Sequence, residues 1–217
     1  MNETQLNQIQ TYAYQQLAQD QSGHGTDHIQ RVVALAKKIL ATESEANARL
    51  VEATALLHDS YDDKLFADQA AAKQNTQDFL AEIGLTDTEI GQIFYIIDNM
   101  SWSKGLDGAK PLDLNGQIVQ DADRLDAIGA IATTRALAYG FAHDRVLYDP
   151  TIAPRDPQSK AAYRDARENT TINHFYEKLL KVKDQLNTQA ARDLAESRHQ
   201  FMVDFLNQFK AEWDLKR

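Results

Sequence analysis

Apolar residues in this chain recur at intervals of three and four, and that period decides most of what it can fold into. Ile29, Val32, Val33, Ala36, Ile39 and Leu40 lay a stripe along one face of a helix, and Leu50, Ala53, Leu56 and Leu57 lay another. Ile90, Ile93, Phe94, Ile96 and Ile97 form a third. No stretch of useful length alternates apolar and polar residues as a strand would, and no 20–50-residue repeat or low-complexity linker appears. Only 9 glycines and 4 prolines interrupt 217 residues, which favours long helices. The expectation is an all-α fold, a single globular helical bundle spanning residues 1–217.

Punctuation residues set the expected boundaries. Helices are predicted over about 3–20, 27–40, 45–58, 65–83, 86–100, 117–139, 170–182 and 188–213. Thr26 or Asp27 caps the second of these, and Gly84 stops the fourth. Thr86-Asp87-Thr88-Glu89 is a capping-box pattern that opens the fifth. Gly140 is expected to end the sixth. Residues 101–116, with Gly105, Gly108, Pro111 and Gly116, read as a loop. Residues 141–169 carry Pro150, Pro154 and Pro157 and read as a long loop or small insertion, which is uncommon unless it has a task.

Composition removes several classes of function. The formal net charge is −9, which argues against a nucleic-acid or membrane-surface partner. A small anionic substrate stays open, because a bound cation reverses the local field. With no cysteine there are no disulfides, thiolate nucleophiles or cysteine-based zinc sites. No apolar run approaches the roughly 20 residues that span a bilayer. The polar opening Met1-Asn2-Glu3-Thr4-Gln5 lacks a signal peptide's apolar region, so a cytoplasmic location is expected.

Four residues stand out against this background. His58 and Asp59 come directly after the apolar run that ends in Leu56-Leu57. His28 lies four residues before Val32, on the inward side of its helix. Asp123 lies on a third helix. Taken singly each is bland: a buried histidine, a helix-end pair and a solvated aspartate are all commonplace. Taken together, two imidazoles and two carboxylates on core-facing helices suit a divalent ion such as Mn²⁺, Fe²⁺, Co²⁺, Ni²⁺, Zn²⁺ or Mg²⁺ rather than a soft thiophilic one. Two His and two Asp also leave coordination positions open for water and a substrate oxygen.

The surrounding motifs resemble those of the HD-domain metal-dependent phosphohydrolases. Gly25-Thr26-Asp27-His28-Ile29-Gln30-Arg31-Val32 looks like that family's first-histidine helix. Ala55-Leu56-Leu57-His58-Asp59 looks like its central motif, and Asp121-Ala122-Asp123-Arg124-Leu125-Asp126-Ala127 resembles its last. Further pieces, Gln120 to Ile131, Tyr139-Gly140, Tyr148-Asp149-Pro150 and Thr171 to Leu180, look like a bacterial subgroup of small stand-alone HD hydrolases. The resemblance implies a single HD domain with its core motifs over about 20–140 and C-terminal helices over 170–213.

It also implies a function: divalent-metal-dependent hydrolysis of nucleotides by a metal-activated water. The leading reaction is cleavage of (deoxy)nucleoside triphosphates to monophosphate and pyrophosphate. A 5′-nucleotidase or other phosphomonoesterase is the alternative within enzymes. A non-catalytic metal- and nucleotide-binding module, or a helical interaction domain with an incidental His-Asp, is the alternative outside them. In that scheme Asp62 or Asp63 orients the water or takes its proton. His24, Arg31, Lys64, Arg124 and Arg145 contact substrate, His24 reaching either the substrate or a group that holds the metal. Lys104, Lys110 and Arg155 are further phosphate candidates, and Trp102 and Tyr148 could stack on a base. The partner is a small nucleotide; a homodimer is compatible with it. One departure matters: Ile97-Asp98-Asn99-Met100-Ser101 holds no histidine for a second metal, so one ion is expected.

Overall fold

The protein, seen in a computed structural model that describes residues 1–18, 23–157, 159–164 and 169–217, is all-α, with no strand among those residues. Its helices are α1 (Glu3–Leu17), α2 (Thr26–Leu40), α3 (Ala48–Leu57), α4 (Gln69–Glu82), α5 (Asp87–Met100), α6 (Trp102–Leu106), α7 (Leu114–Asp126), α8 (Ala130–Ala142), α9 (Lys160–Arg164), α10 (Thr171–Glu177) and α11 (Gln189–Trp213). Two single 3-10 turns, Leu179–Lys181 and Lys183–Gln185, lie between α10 and α11. The chain forms two compact units, Met1–Asp123 and Arg124–Arg217.

In the first unit the core is built from Leu6, Ile9 and Ala13 of α1, Ile29 of α2, Leu50, Ala53, Leu56 and Leu57 of α3, and Ile90, Ile93 and Phe94 of α5. Each of the larger side chains contributes about 1.5–3 kcal/mol by leaving water. α3 is deeply enclosed: every residue from Leu50 to Leu57 except Glu52 is buried. The one polar side chain among those buried residues, Thr54, returns its hydroxyl to Leu50 O at 2.7 Å. Asn47 caps the start by accepting from Leu50 N, which places the helix start at Ala48 rather than near 45. A helix this enclosed carries the two residues after it, His58 and Asp59, into the core with it.

Several predicted boundaries shift, each for a local reason. α1 ends at Leu17; positions 19 and 20 of the predicted first helix lie outside the described residues. The fourth helix starts at Gln69, not 65, because Asp68 caps it on Ala71 N. Its stop at Gly84 is as predicted, with the glycine at φ +81 and Leu85 N returning to Leu80 O. The Thr86–Glu89 capping box forms as its pattern requires. The 101–116 loop contains α6, capped by Ser101 on Lys104 N, and α7 begins at Leu114.

The predicted sixth helix is two. Gly129, at φ +93, breaks it after Asp126, and α8 runs through Gly140 to Ala142 instead of stopping there. Gly140 is needed for closeness rather than for a turn: a Cβ there would stand 2.2 Å from Thr171 Oγ1.

The second unit packs α8, α10 and α11 around Ile172, Phe175, Leu179, Ala195, Met202 and Leu206. The 170–182 helix is shorter than predicted, because α10 gives way to the 3-10 turns after Glu177. The irregular 141–169 segment contains α9 and is tied down: Thr171 N and Ile172 N donate to Val146 O and Leu147 O, and Asn173 Nδ2 donates to Ile152 O. Arg155 closes the strap with three bonds to the fully buried Glu177, from its amide at 2.9 Å and from Nε and Nη2 at 3.0 Å each.

Candidate metal centre

His28 sits in the first turn of α2, His58 is the C-cap of α3, Asp59 is the next residue, and Asp123 lies in the last turn of α7. His28, His58 and Asp59 are 2%, 6% and 7% exposed, while the Asp123 side chain reaches toward solvent at 33%. Four atoms converge: His28 Nε2 and His58 Nε2 are 3.0 Å apart. Asp59 Oδ2 lies 3.5 Å from the first and 3.4 Å from the second. Asp123 Oδ1 lies 3.7 and 3.9 Å from the same two nitrogens. Donors held about 2.1 Å from one divalent ion stand roughly 3 to 3.5 Å apart, so these spacings fit an ion.

The tautomer of His58 is set by its partner. Its Nδ1 faces Ala55 O at 2.8 Å, and a carbonyl only accepts, so Nδ1 carries the hydrogen. In the neutral ring Nε2 is then a bare lone pair aimed at His28 and the two carboxylates. A ligand histidine is oriented in this way, by a backbone carbonyl on its far nitrogen.

The carboxylates of the cluster favour positive charge on the imidazoles beside them. Burial disfavours a charged His58, yet Asp59, then Asp123, the Ala55 carbonyl and Asp62 outweigh it and raise its pKa above the usual histidine range. Burial likewise opposes ionisation of Asp59, but His58, with His24 and His28, holds its carboxyl well below the usual range. Carboxylates beside two imidazoles form a hard-to-borderline donor set with no soft sulfur ligand.

The remaining candidate residues fall in varied places. His24, between Gly23 and Gly25 at the entrance to α2, joins the cluster: its Nδ1 is 2.9 Å from Asp59 Oδ2. Asp62 and Asp63 lie not on a continued helix but in turns, since α3 ends at Leu57. The turn is tightened by Ser60 N to Leu57 O and Asp62 N to Asp59 O, and Asp62 Oδ1 accepts from Lys64 N at 2.8 Å. Asp62 still acts electrostatically on His58. Lys64 is exposed, its Nζ 4.0 Å from Asp62 Oδ2. Arg31 pairs with Asp27 one turn earlier at 2.7 Å.

In the second unit, Arg124 donates to Gln185 O and Arg145 lies over the Tyr139 ring, 5.6 Å from its centroid. Arg155 is engaged by Glu177, and Tyr148 packs edge-on against Phe209 and Trp213. Asp126 of α7 meets Arg135 of α8 at 3.2 Å.

Two features give no signal in the sequence that periodicity would pick out. Asp121 is fully buried, and only its place in the last motif hints at it. Asp98 of α5 gathers Lys73 Nζ at 2.5 Å and the Tyr61 hydroxyl at 3.3 Å, with the Lys73 ammonium also over the Tyr61 ring. No periodic pattern links those three positions. Among the described residues the histidine and carboxylate groupings of metal-binding spacing are His28-His58-Asp123 and His24-His28-Asp59, which share His28. No helix among those residues is long and apolar enough to cross a membrane.

No family model matches the chain. YpgQ of Bacillus subtilis is 36% identical over 209 residues, 96% of this chain and 93% of that one. A solved structure of YpgQ in complex with ADP aligns with a TM-score of 0.73 at 35% identity, covering 96% of this chain and 95% of that one. An HD-superfamily hydrolase from Bacillus thuringiensis aligns at 40% identity and a TM-score of 0.74 over 98% of each chain. A protein from Lactobacillus plantarum aligns at 48% identity and a TM-score of 0.91 over 99% of each chain.

Proposed function

This chain belongs to the HD superfamily of metal-dependent phosphohydrolases, and we propose that it hydrolyses nucleotides, cutting (deoxy)nucleoside triphosphates to monophosphate and pyrophosphate. The observation that carries this reading is that Asp59 Oδ2 and Asp123 Oδ1 each stand 3.4–3.9 Å from both His28 Nε2 and His58 Nε2, which are 3.0 Å apart. These four residues are the ones that would hold a divalent ion, with Mn²⁺ the first candidate. When bound, such an ion makes water acidic enough to act as a nucleophile near neutral pH and neutralises charge on phosphoryl oxygens.

The chain's own groups do the rest. Ala55 O fixes the His58 ring so that Nε2 faces the site. Asp62, whose charge is felt at His58, orients the attacking water and accepts its proton on a carboxylate oxygen, with Asp63 next to it as the alternative. Lys64, exposed on the same turn, meets the negative charge of the phosphates, together with Arg31. A nucleotide as substrate is supported by YpgQ, whose structure holds ADP, at 35% identity over 96% of this chain.

The test is product analysis of nucleoside triphosphates incubated with the protein and Mn²⁺. Monophosphate and pyrophosphate in equal amounts are expected. Release of orthophosphate or of intact triphosphate would move the scissile bond and sink the proposed reaction. His58→Ala and Asp123→Ala are expected to abolish turnover; activity that survives both would remove the assigned site.

A further inference from the structure

We propose that His24 is the residue that positions Asp59: its Nδ1–H donates to Asp59 Oδ2 and fixes the carboxylate on the face it shares with His28 and His58. The role rests on the metal reading above and adds a residue to it. His24 is then a positioning residue, rather than a contact to substrate.

Three features of the geometry support this role. Among the described residues, the His24 contact of 2.9 Å is the shortest that the Asp59 carboxylate makes; His58 and His28 stand at 3.4 and 3.5 Å. His58 cannot be the donor while neutral, because its hydrogen is already on Nδ1 and spent on Ala55 O. The second torsion of an aspartate is broad and nearly two-fold, so nothing within Asp59 itself selects which way its oxygens point. A buried carboxylate also needs a donor, and His24 supplies it.

Local structure explains how His24 gets there. Gly23, at φ +96, turns the chain, and Gly25 begins α2 in extended backbone without a side-chain cap. The two glycines let the residue between them fold back along its own helix. The His24 ring meets the His28 ring edge-on, with centroids 5.5 Å apart and planes at 83°. Its side chain is 26% exposed, so it stands at the rim and not in the core. An oxygen that accepts from His24 on one lone pair still presents the other toward the two imidazoles, which is how an outer partner orients a ligand without displacing the ion.

Two substitutions separate this role from its rivals. Leucine at this position (His24→Leu) keeps bulk and removes the donor. Asparagine (His24→Asn) places an amide N–H near where Nδ1–H stood. By isothermal titration with Mn²⁺ alone, His24→Leu is expected to weaken binding about 10–100-fold, the usual effect of losing an outer partner, and His24→Asn to restore most of it. With saturating Mn²⁺, His24→Leu should lower kcat while the KM for the nucleotide stays near that of the wild type. In the metal-free protein His24→Leu leaves the buried Asp59 carboxylate without that donor and should lower Tm, and His24→Asn should recover most of the loss.

Unchanged Mn²⁺ affinity in His24→Leu, or a change confined to KM, would overturn the proposal. Failure of His24→Asn to do better than His24→Leu would overturn it too, since that outcome marks the ring as a direct ligand. Wild-type protein that binds no Mn²⁺ overturns the metal reading itself. The His24–Asp59 bond is then judged on its own by ¹⁵N NMR of the metal-free protein, where a His24 ring without a hydrogen on Nδ1 refutes it.

Discussion

Replacing Gly140 by alanine tests a close approach of α8 to α10 in the second unit. The added Cβ would stand 2.2 Å from Thr171 Oγ1 and 3.2 Å from both Thr171 Cβ and Cγ2. Two of the three staggered positions about the Thr171 χ1 put a heavy atom against the new methyl. The third turns a fully packed side chain into its neighbours, since Thr171 is buried. Relief therefore requires α8 and α10 to move apart by about 1 Å, and overpacking of this severity costs roughly 3 kcal/mol. Against that, alanine gains about 1 kcal/mol over glycine inside a helix. The net expectation is a loss of about 2 kcal/mol, or roughly 4–8 °C in Tm for a chain of this length. Circular dichroism on heating and in urea reads it. Thr171→Ala removes Oγ1 and Cγ2, so the double variant should be more stable than the sum of the two singles by about 1–2 kcal/mol. A Gly140→Ala protein as stable as the wild type, or strict additivity in the cycle, would refute the close-approach explanation.

Arg155 and Glu177 should respond unequally to truncation. Arg155→Ala strips the guanidinium from a fully buried carboxylate and should cost about 3–5 kcal/mol, whereas Glu177→Ala leaves a guanidinium already in reach of water and should cost about 1–3, both by urea unfolding. Thr86→Ala removes the α5 cap and should cost about 1 kcal/mol. The amino group of Met1, with Thr86, holds the Glu89 carboxyl down to about 2 from 4.5, so its contribution is full above pH 4.5 and lost as pH falls toward 2. Glu89→Gln should flatten the Tm profile across that window. Mn²⁺ at about 100 times its Kd should raise wild-type stability by about 2.7 kcal/mol and leave His58→Ala unmoved, as read by thermal shift, with a chelator reversing the rise.

The helices and the inward placing of His28 and His58 are legible in the sequence for one shared reason. Apolar period fixes which face of α2 and α3 is inward, and His28 and His58 ride on those faces. The capping box at Thr86 and the stop at Gly84 were legible because each is a local hydrogen-bond or φ requirement met within a few residues. The sequence does not separate the break at Gly129 from the close approach at Gly140, because glycine serves two different ends. At Gly129 it supplies a positive φ; at Gly140 it makes room for Thr171, 31 residues later in the chain. Only tertiary packing tells those uses apart. The same limit hid the partners of the cations. Arg155 looks free in sequence, yet Glu177, 22 residues away, takes its guanidinium; Asp126 turns to Arg135.

Where the candidate donors stand along their helices also bears on how the site works. His28 opens α2, His58 closes α3 and Asp123 lies in the last turn of α7, so each projects from a helix end while its neighbours stay packed. Ile29 and Leu57, adjacent to the two histidines, are fully buried and leave their backbones little freedom. A donor set anchored in this way needs little rearrangement when a cation arrives, and preorganisation of that kind is where a catalytic site gains most. The two groups without such an anchor are the Asp62–Lys64 turn, where the Asp62 side chain bonds the Lys64 amide, and His24 between its two glycines. These parts of the site stand on turns and bends rather than on packed helices. Substitutions there should alter turnover more than fold, and substitutions at Leu57 or Ile29 the reverse.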